Sequence, residues 1–374
     1  MVGAAPPEIA ILLPAAEQFG PERAGAIALH VRDVSRASRF RDRIRIFGAP
    51  VERPFEGLDF RPLRPAWHGL RGRNIGLAEA FRRRLAGRPH ALVEIYNRPN
   101  MFAHLAARTD LPLTLRLSND PRTMRGARTP AERVRVLARA EAILCVSDYV
   151  RQRFLDDLPG TAEAGKLMVL RNAIPRTLAA PPRKEPVILF VGRIIEQKGV
   201  ADLIAALEQV LPRQPGWRAE IIGTSRTRRR AEITPFEATL RERSDRLGGA
   251  VQWLGYLAND RVMSHYRRAA IVVLPSLWPE PLARTAVEAL ANGCAVLAYP
   301  SGGLPEVLRG RGLLVEPAAS EALAVALERV IVDQALRARL QDQAWRDYPF
   351  DIERTAGAID DLREAILAGI RKAA

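Results

Sequence analysis

The chain has 374 residues, 48% hydrophobic and 26% charged, which excludes a disordered polymer and favours two domains of ordinary size. No apolar run reaches the ~18 residues of a membrane span, and Met1–Pro7 carry no basic residue ahead of the apolar Ile9–Pro14, so a cytoplasmic protein without a signal peptide is expected. The net charge of +15 is uneven, +12 over residues 1–180 against +3 over 181–374; this points to an anionic partner for the first half, whether nucleic acid, an acidic membrane surface or an acidic substrate.

Along the chain, short apolar runs alternate with helical periodicity, the pattern of parallel sheets built from βαβ units. Strands are expected at Glu8–Ala15, Arg43–Gly48, Ala91–Tyr96, Pro112–Ser118, Ala142–Ser147 and Lys166–Arg171, with helices between them such as Glu22–Ser38, Asn74–Ala86 and Thr129–Ala140. The proline-rich Ile174–Pro186 reads as an interdomain linker. The alternation restarts with strands at Val187–Val191, Arg218–Ile222, Val251–Leu254, Ile271–Pro275, Ala295–Tyr299 and Gly312–Val315. Its helices are Val200–Leu211, Thr234–Leu247, Asp260–Ala269, Arg284–Asn292 and a tail from about Ser320 to Ile370, broken near Pro349. Cys145 and Cys294 lie inside apolar segments and read as buried free thiols, and the five histidines show no metal-ligand spacing. Ligands of such α/β folds bind at the carboxyl ends of the strands.

Three strand exits carry chemistry. In the first, Gly192 and Arg193 end a strand and Glu196–Gly199 is placed at the start of a helix; a bare backbone, two cations (Arg193, Lys198) and the positive end of a helix suit a diphosphate, although a turn and a solvated helix start would leave the same residues. The second is Trp278–Gly293. Glu280 sits in its loop and Glu288 two turns into its helix, at most about 12 Å apart along the axis, a separation that suits one carboxylate for a ribose and the other for a hexose. The N–H groups of Leu282, Ala283 and Arg284 lie between, after Pro281, where phosphate would sit. Ala286, Val287, Ala289, Leu290 and Ala291 surround Glu288, so its carboxylate needs a partner. The third, Pro300–Glu306 with Gly302 and Gly303, reads equally as a ligand loop or a tight turn.

The ordered set Gly-Arg-x4-Lys-Gly, Glu-x7-Glu and Gly-Gly-x2-Glu resembles the retaining glycosyltransferases of family 4, over most of residues 186–316. The resemblance implies the GT-B fold, an α/β architecture of two Rossmann-like domains facing across a cleft: an acceptor domain at 1–177, a nucleotide-sugar domain at 178–348 and a helix at 349–374 crossing back to the first domain. It further implies catalytic roles for Arg193 and Lys198 on the donor diphosphate and for Glu280 on the transferred sugar, with Glu288 on the ribose, and no cofactor or metal. Gly20 and Gly25 resemble the family's glycine loop against the donor phosphates. Asn97 and Arg98 look like a strand exit facing the cleft, and Ser118 with Asn119 stands where relatives carry a histidine near the reacting sugar. Leu282-Ala283 replaces the usual Phe-Gly, a change expected to keep the helix start and tighten the pocket. The expected partners are a nucleotide-sugar donor and a glycan or lipid-linked acceptor of envelope polysaccharide or lipopolysaccharide synthesis. The charge of the first half, with Arg36, Arg39, Arg41, Arg43, Arg45 and Arg82–Arg84, adds an anionic membrane surface. A GT-B epimerase or phosphorylase would share the fold. A nucleic-acid-binding protein would fit the charge, but aromatic residues are only 6% and no binding motif is present, so no nucleic acid is expected.

Overall fold

In the computed structural model the apolar runs become the strands of two all-parallel sheets. The structure describes residues 8–65, 72–85, 90–158, 160, 165–225, 233–317 and 320–373. The chain divides into two units, residues 1–175 with 350–374, and residues 176–349.

The first unit contains β1 (Glu8–Leu12), β2 (Ile44–Gly48), β3 (Phe60–Pro62), β4 (His90–Tyr96), β5 (Leu113–Leu117), β6 (Ala142–Cys145) and β7 (Leu167–Val169), in the order β3-β2-β1-β4-β5-β6-β7. Its helices are α1 (Ala26–Ala37), α2 (Arg73–Leu85), α3 (Pro99–Ala106), α4 (Pro130–Arg139) and α5 (Asp148–Leu155). The second unit contains β8 (Glu185–Val191), β9 (Arg218–Ile222), β10 (Val251–Gly255), β11 (Ala269–Leu274), β12 (Ala295–Ala298) and β13 (Leu313–Leu314), in the order β10-β9-β8-β11-β12-β13. Around it lie α6 (Val200–Val210), α7 (Pro235–Asp245), α8 (Asn259–Arg268), α9 (Arg284–Ala291), α10 (Leu304–Leu308), α11 (Ser320–Val332) and α12 (Gln334–Arg346). Both sheets are doubly wound: the order runs outward one way from the first strand and then resumes on its other side, so two neighbouring loops diverge at that switch point. The central strands are buried on both faces, which is why Ile9–Leu12 and Ile271–Leu274 read as unbroken apolar runs rather than as alternation.

Some expected boundaries shift for identifiable reasons. The edge strand β3 is only Phe-Arg-Pro, too short for any periodicity. The helical tail breaks twice: Asp333 caps α12 by accepting the Leu336 N–H at 2.8 Å, and the chain leaves the helix again before α13 (Ile352–Ala373). Residues Glu196–Lys198 form a single 3-10 turn rather than the start of the helix, which begins at Val200.

Helix α13 belongs to the first unit and packs on α1 and β4. Its apolar stripe of Ile352, Ala356, Ile359 and Leu367 is buried, and an ionic cluster is buried beside it. Arg363 grips Glu94 of β4 with a two-pronged bond at 2.7 and 2.9 Å and also donates to Asp360 at 2.9 Å. Asp360 accepts from the Ser38 hydroxyl at 2.7 Å and from the Arg39 N–H at 2.8 Å, at the end of α1. Burial by itself would lower the Arg363 pKa, but Glu94 and Asp360 hold it above its ordinary value.

The surface arginines are largely committed inside this unit. Arg39 pairs with Asp361 and Glu364, Arg45 with Glu8 and Asp59, and Arg82 and Arg83 share Glu79; Arg36 and Arg41 donate to the carbonyls of Glu56 and Gly57. Among the described residues no helix is long and apolar enough to cross a membrane.

Removing one side of the buried cluster leaves two carboxylates without their cation. Arg363→Ala is expected to destabilise the first unit by about 3 kcal/mol or more, read as a fall in the midpoint of urea unfolding; a change below ~1 kcal/mol, the size of an exposed ion pair, would show that the cluster does not hold the helix.

Candidate active site

The switch point of the second sheet lies between β8 and β11, and the loops leaving these two strands carry the residues singled out from the sequence. After β8, Gly192 donates to the Ile222 carbonyl at 3.0 Å, tying this loop to the end of β9. Arg193 follows, exposed, with no side-chain hydrogen bond or ion pair among the described residues. The chain then makes its 3-10 turn and closes it at Gly199 with φ +66°. A Cβ at Gly199 would fall 1.7 Å from the carbonyl oxygen of Pro275, so only glycine lets this loop lie against the exit of β11.

That contact brings Lys198 to Glu280. The Lys198 ammonium bonds Oε1 of Glu280, and the Ser276 hydroxyl donates to the same oxygen at 2.7 Å. Glu280 is 7% exposed. Among the described residues no group bonds its Oε2, leaving one carboxylate oxygen for a ligand hydroxyl. The loop is held from the other side as well. The Gly303 N–H donates to the Glu280 carbonyl at 2.6 Å, and Gly302, at φ +59°, has no room for a Cβ, which would lie 2.2 Å from that same carbonyl oxygen. The glycine pair after β12 is thus a clasp on the Glu280 loop. Of the two readings the sequence left open, the tight turn is the one with a visible mechanical role.

Beyond Glu280 the chain passes Pro281 and the buried Leu282 to Ala283 and enters α9 at Arg284. Ala283 has φ +63° and ψ 88°. The helix start is kept with alanine in place of glycine, and the methyl sits on left-handed backbone, where an L side chain crowds the carbonyl that follows it. One turn into the helix Glu288, 4% exposed, finds the partner its apolar surroundings demand: Arg284 Nε donates to its Oε1 at 3.0 Å and Asn259 Nδ2 at 3.3 Å. Burial first, and then the Glu288 charge, push the nearby Tyr266 phenol well above its ordinary pKa. Ser276, Asn259 and Tyr266 were not picked out from the sequence, because each sits in an unremarkable local context and meets its carboxylate only across the fold.

In the first unit the expected residues lie at the equivalent edge. Gly20 is packed against the Arg53 carbonyl, 2.1 Å from where its Cβ would be, which gives it a structural use. Gly25 stands at the N-cap of α1, and the carboxylate of Glu17 covers that helix end, accepting the Ala28 N–H at 3.0 Å. Burial raises the Glu17 pKa, while the N–H groups of Ala28 and Gly25 and the Arg98 charge oppose it. Asn97, with φ +54°, accepts the Ser118 N–H at 3.0 Å on its side-chain oxygen, so it braces the exits of β4 and β5; Arg98 donates to the Asn97 carbonyl at 2.6 Å, and Asn119 is exposed.

Solved structures share this architecture over almost the whole chain. A sucrose-phosphate synthase from Thermosynechococcus elongatus superposes with a TM-score of 0.78 at 21% identity, covering 97% of this chain and 100% of the other. An Anabaena protein crystallised with UDP-glucose gives 0.73 at 18%, covering 96% and 99%. The fold is GT-B. Residues 176–347, almost the whole second unit, match the family described as glycosyl transferases group 1. Among curated relatives, an uncharacterized glycosyltransferase of Methanocaldococcus jannaschii is 32% identical over 165 residues, 44% of this chain. A lipopolysaccharide 1,2-N-acetylglucosaminetransferase of Salmonella typhimurium is 30% identical over 151 residues, 40% of this chain. The chain spans 40% of the length of each of these two relatives.

The strained alanine gives a direct check on the loop geometry. Ala283→Gly is expected to raise stability by about 0.5–1 kcal/mol, the relief of left-handed strain less the extra freedom glycine has when unfolded. Chemical denaturation measures it, and a loss of stability would show that Ala283 does not hold this backbone in solution.

Proposed function

We propose that the chain is a retaining, metal-independent glycosyltransferase that moves a hexose from a nucleotide-diphosphate sugar to a glycan or lipid-linked acceptor. The observation that carries this reading is the Lys198–Glu280 pair at the switch point, with exposed Arg193 on the same loop, in a unit that matches the group 1 family. The Anabaena neighbour's UDP-glucose and the Salmonella relative's lipopolysaccharide acceptor support a UDP-sugar as the first donor to try and envelope polysaccharide or lipopolysaccharide synthesis as the setting.

The division of labour follows from where each group stands. Charge develops on the departing diphosphate, so Arg193, Lys198 and the positive end of the α9 dipole stabilise it as the bond to the anomeric carbon breaks. Oε2 of Glu280 accepts from a hydroxyl of the hexose and orients the ring. Glu288, steadied by Arg284 and Asn259, accepts from the ribose. The acceptor hydroxyl attacks on the face the diphosphate leaves, which preserves configuration, and its proton passes to the departing phosphate oxygen.

Two sets of variants test the assignment. Glu288→Ala is expected to weaken UDP-glucose affinity by roughly tenfold, the loss of about one hydrogen bond with a partner left behind, while Glu280→Ala mainly lowers turnover; calorimetry and a UDP-release assay separate the two, and variants matching the wild type in both would remove the site. Arg193→Ala or Lys198→Ala is expected to cut turnover by about two orders of magnitude, with wild-type activity unchanged by EDTA. Activity lost in chelator and restored by Mg²⁺ or Mn²⁺ would show that a metal carries the diphosphate charge.

A further inference from the structure

The loop that carries Glu280 also displays the adjacent side chains Leu277 and Trp278, 55% and 44% exposed. The other described tryptophans are engaged. Arg337 lies over Trp217, Arg241 over Trp253 and Arg176 over Trp345, each within 5.3 Å of the ring, and the Trp253 indole N–H donates to Ser244 at 2.8 Å. Trp278 alone among them has neither a ring partner nor a hydrogen bond on its indole.

Its exposure is not that of a loose loop. The N–H groups of Leu277 and Trp278 both donate to the Gln197 carbonyl at 3.0 Å, and the Trp278 carbonyl accepts from the Ser301 hydroxyl at 2.5 Å. The backbone under the indole is thus fastened both to the loop after β8 and to the glycine clasp after β12. A bare aromatic face on a rigid support loses little conformational entropy when a flat apolar surface covers it.

We propose that Trp278 is the stacking platform for a pyranose ring of the acceptor, which makes the acceptor a saccharide at its reacting end. This rests on the transferase reading above. The C–H face of a pyranose is a flat apolar surface of about the size of an indole. The occupant is the acceptor rather than the donor because the donor's parts are already matched by that reading, the diphosphate to Arg193 and Lys198, the hexose to Glu280 and the ribose to Glu288, which leaves the indole, on the same loop as Glu280, for the second sugar.

The experiment uses the full chain labelled with ¹⁵N-tryptophan. Five indole N–H signals are expected, and that of Trp278 is the one missing in Trp278→Phe. The probes are methyl pyranosides of glucose, galactose, mannose and N-acetylglucosamine, added in the presence of UDP, with sorbitol as an open-chain polyol. At least one pyranoside is expected to shift the Trp278 signal saturably while sorbitol leaves it in place; no shift with any pyranoside, or an equal shift with sorbitol, overturns the platform. With a pyranoside that accepts sugar from UDP-glucose, Trp278→Ala is expected to raise the acceptor KM by about tenfold and Trp278→Phe by less, the scale of one aromatic contact. The KM for UDP-glucose and its slow hydrolysis without acceptor should not move. A fall in donor affinity equal to the loss in acceptor KM would place the ring on the donor instead and overturn the proposal. UDP binding itself, read by thermal shift on the wild type, reports separately on the transferase reading.

Discussion

At the carboxyl edge of the second sheet three loops meet at backbone contact, and they do so because Gly199 and Gly302 have no side chains. With a methyl group at either position the Pro275 or the Glu280 carbonyl would be displaced. Every property of the site follows from that approach: Lys198 reaches Glu280, Ser276 shares the same carboxylate oxygen, and Gly303 fixes the loop's backbone. Both bonds fall on Oε1, so the carboxylate is neutralised and aimed before any ligand arrives, which is the preorganisation that charge stabilisation requires.

The same edge shows a local compromise. The chain must turn sharply between Glu280 and α9 so that the helix begins beside the carboxylate, and it does so through a left-handed residue that is alanine. The cost, about 1–2 kcal/mol for a non-glycine residue there, is offset by the buried packing of Leu282, Ala286, Val287 and Leu290 that follows. Strain at a functional turn is sustained where the surroundings overdetermine the backbone.

In the first unit the decisive interaction is ionic rather than steric. Arg363, Glu94, Asp360 and Ser38 bring the end of the chain to the end of α1 and to β4, linking positions 269 to 325 residues apart. Many of the other arginines are held in the same way, on Glu79, Asp59, Asp361 and Glu364, which fixes where the charge of this unit lies.

The sequence by itself determined the class of the fold and the candidate residues, because those signals are local. A strand buried on both faces is an apolar run, a helix start after a strand exit is a short motif, and Gly192, Arg193, Lys198, Glu280 and Glu288 stand in a recognisable order along it. It also determined that Glu288, set among alanines and leucine, needed a partner. Which partner it took, Arg284 one turn before and Asn259 from another helix, was decided only by the tertiary structure, as were the Lys198–Glu280 pair, the clasp at Gly302 and the burial of Arg363. The three-residue strand β3 and the left-handed turn at Ala283 were likewise out of reach: the first is too short to carry a period, and the second is imposed on an ordinary residue by its neighbours in space. Periodicity and spacing report what a segment does with its own neighbours, whereas charges, hydroxyls and glycines act on whatever the fold brings against them.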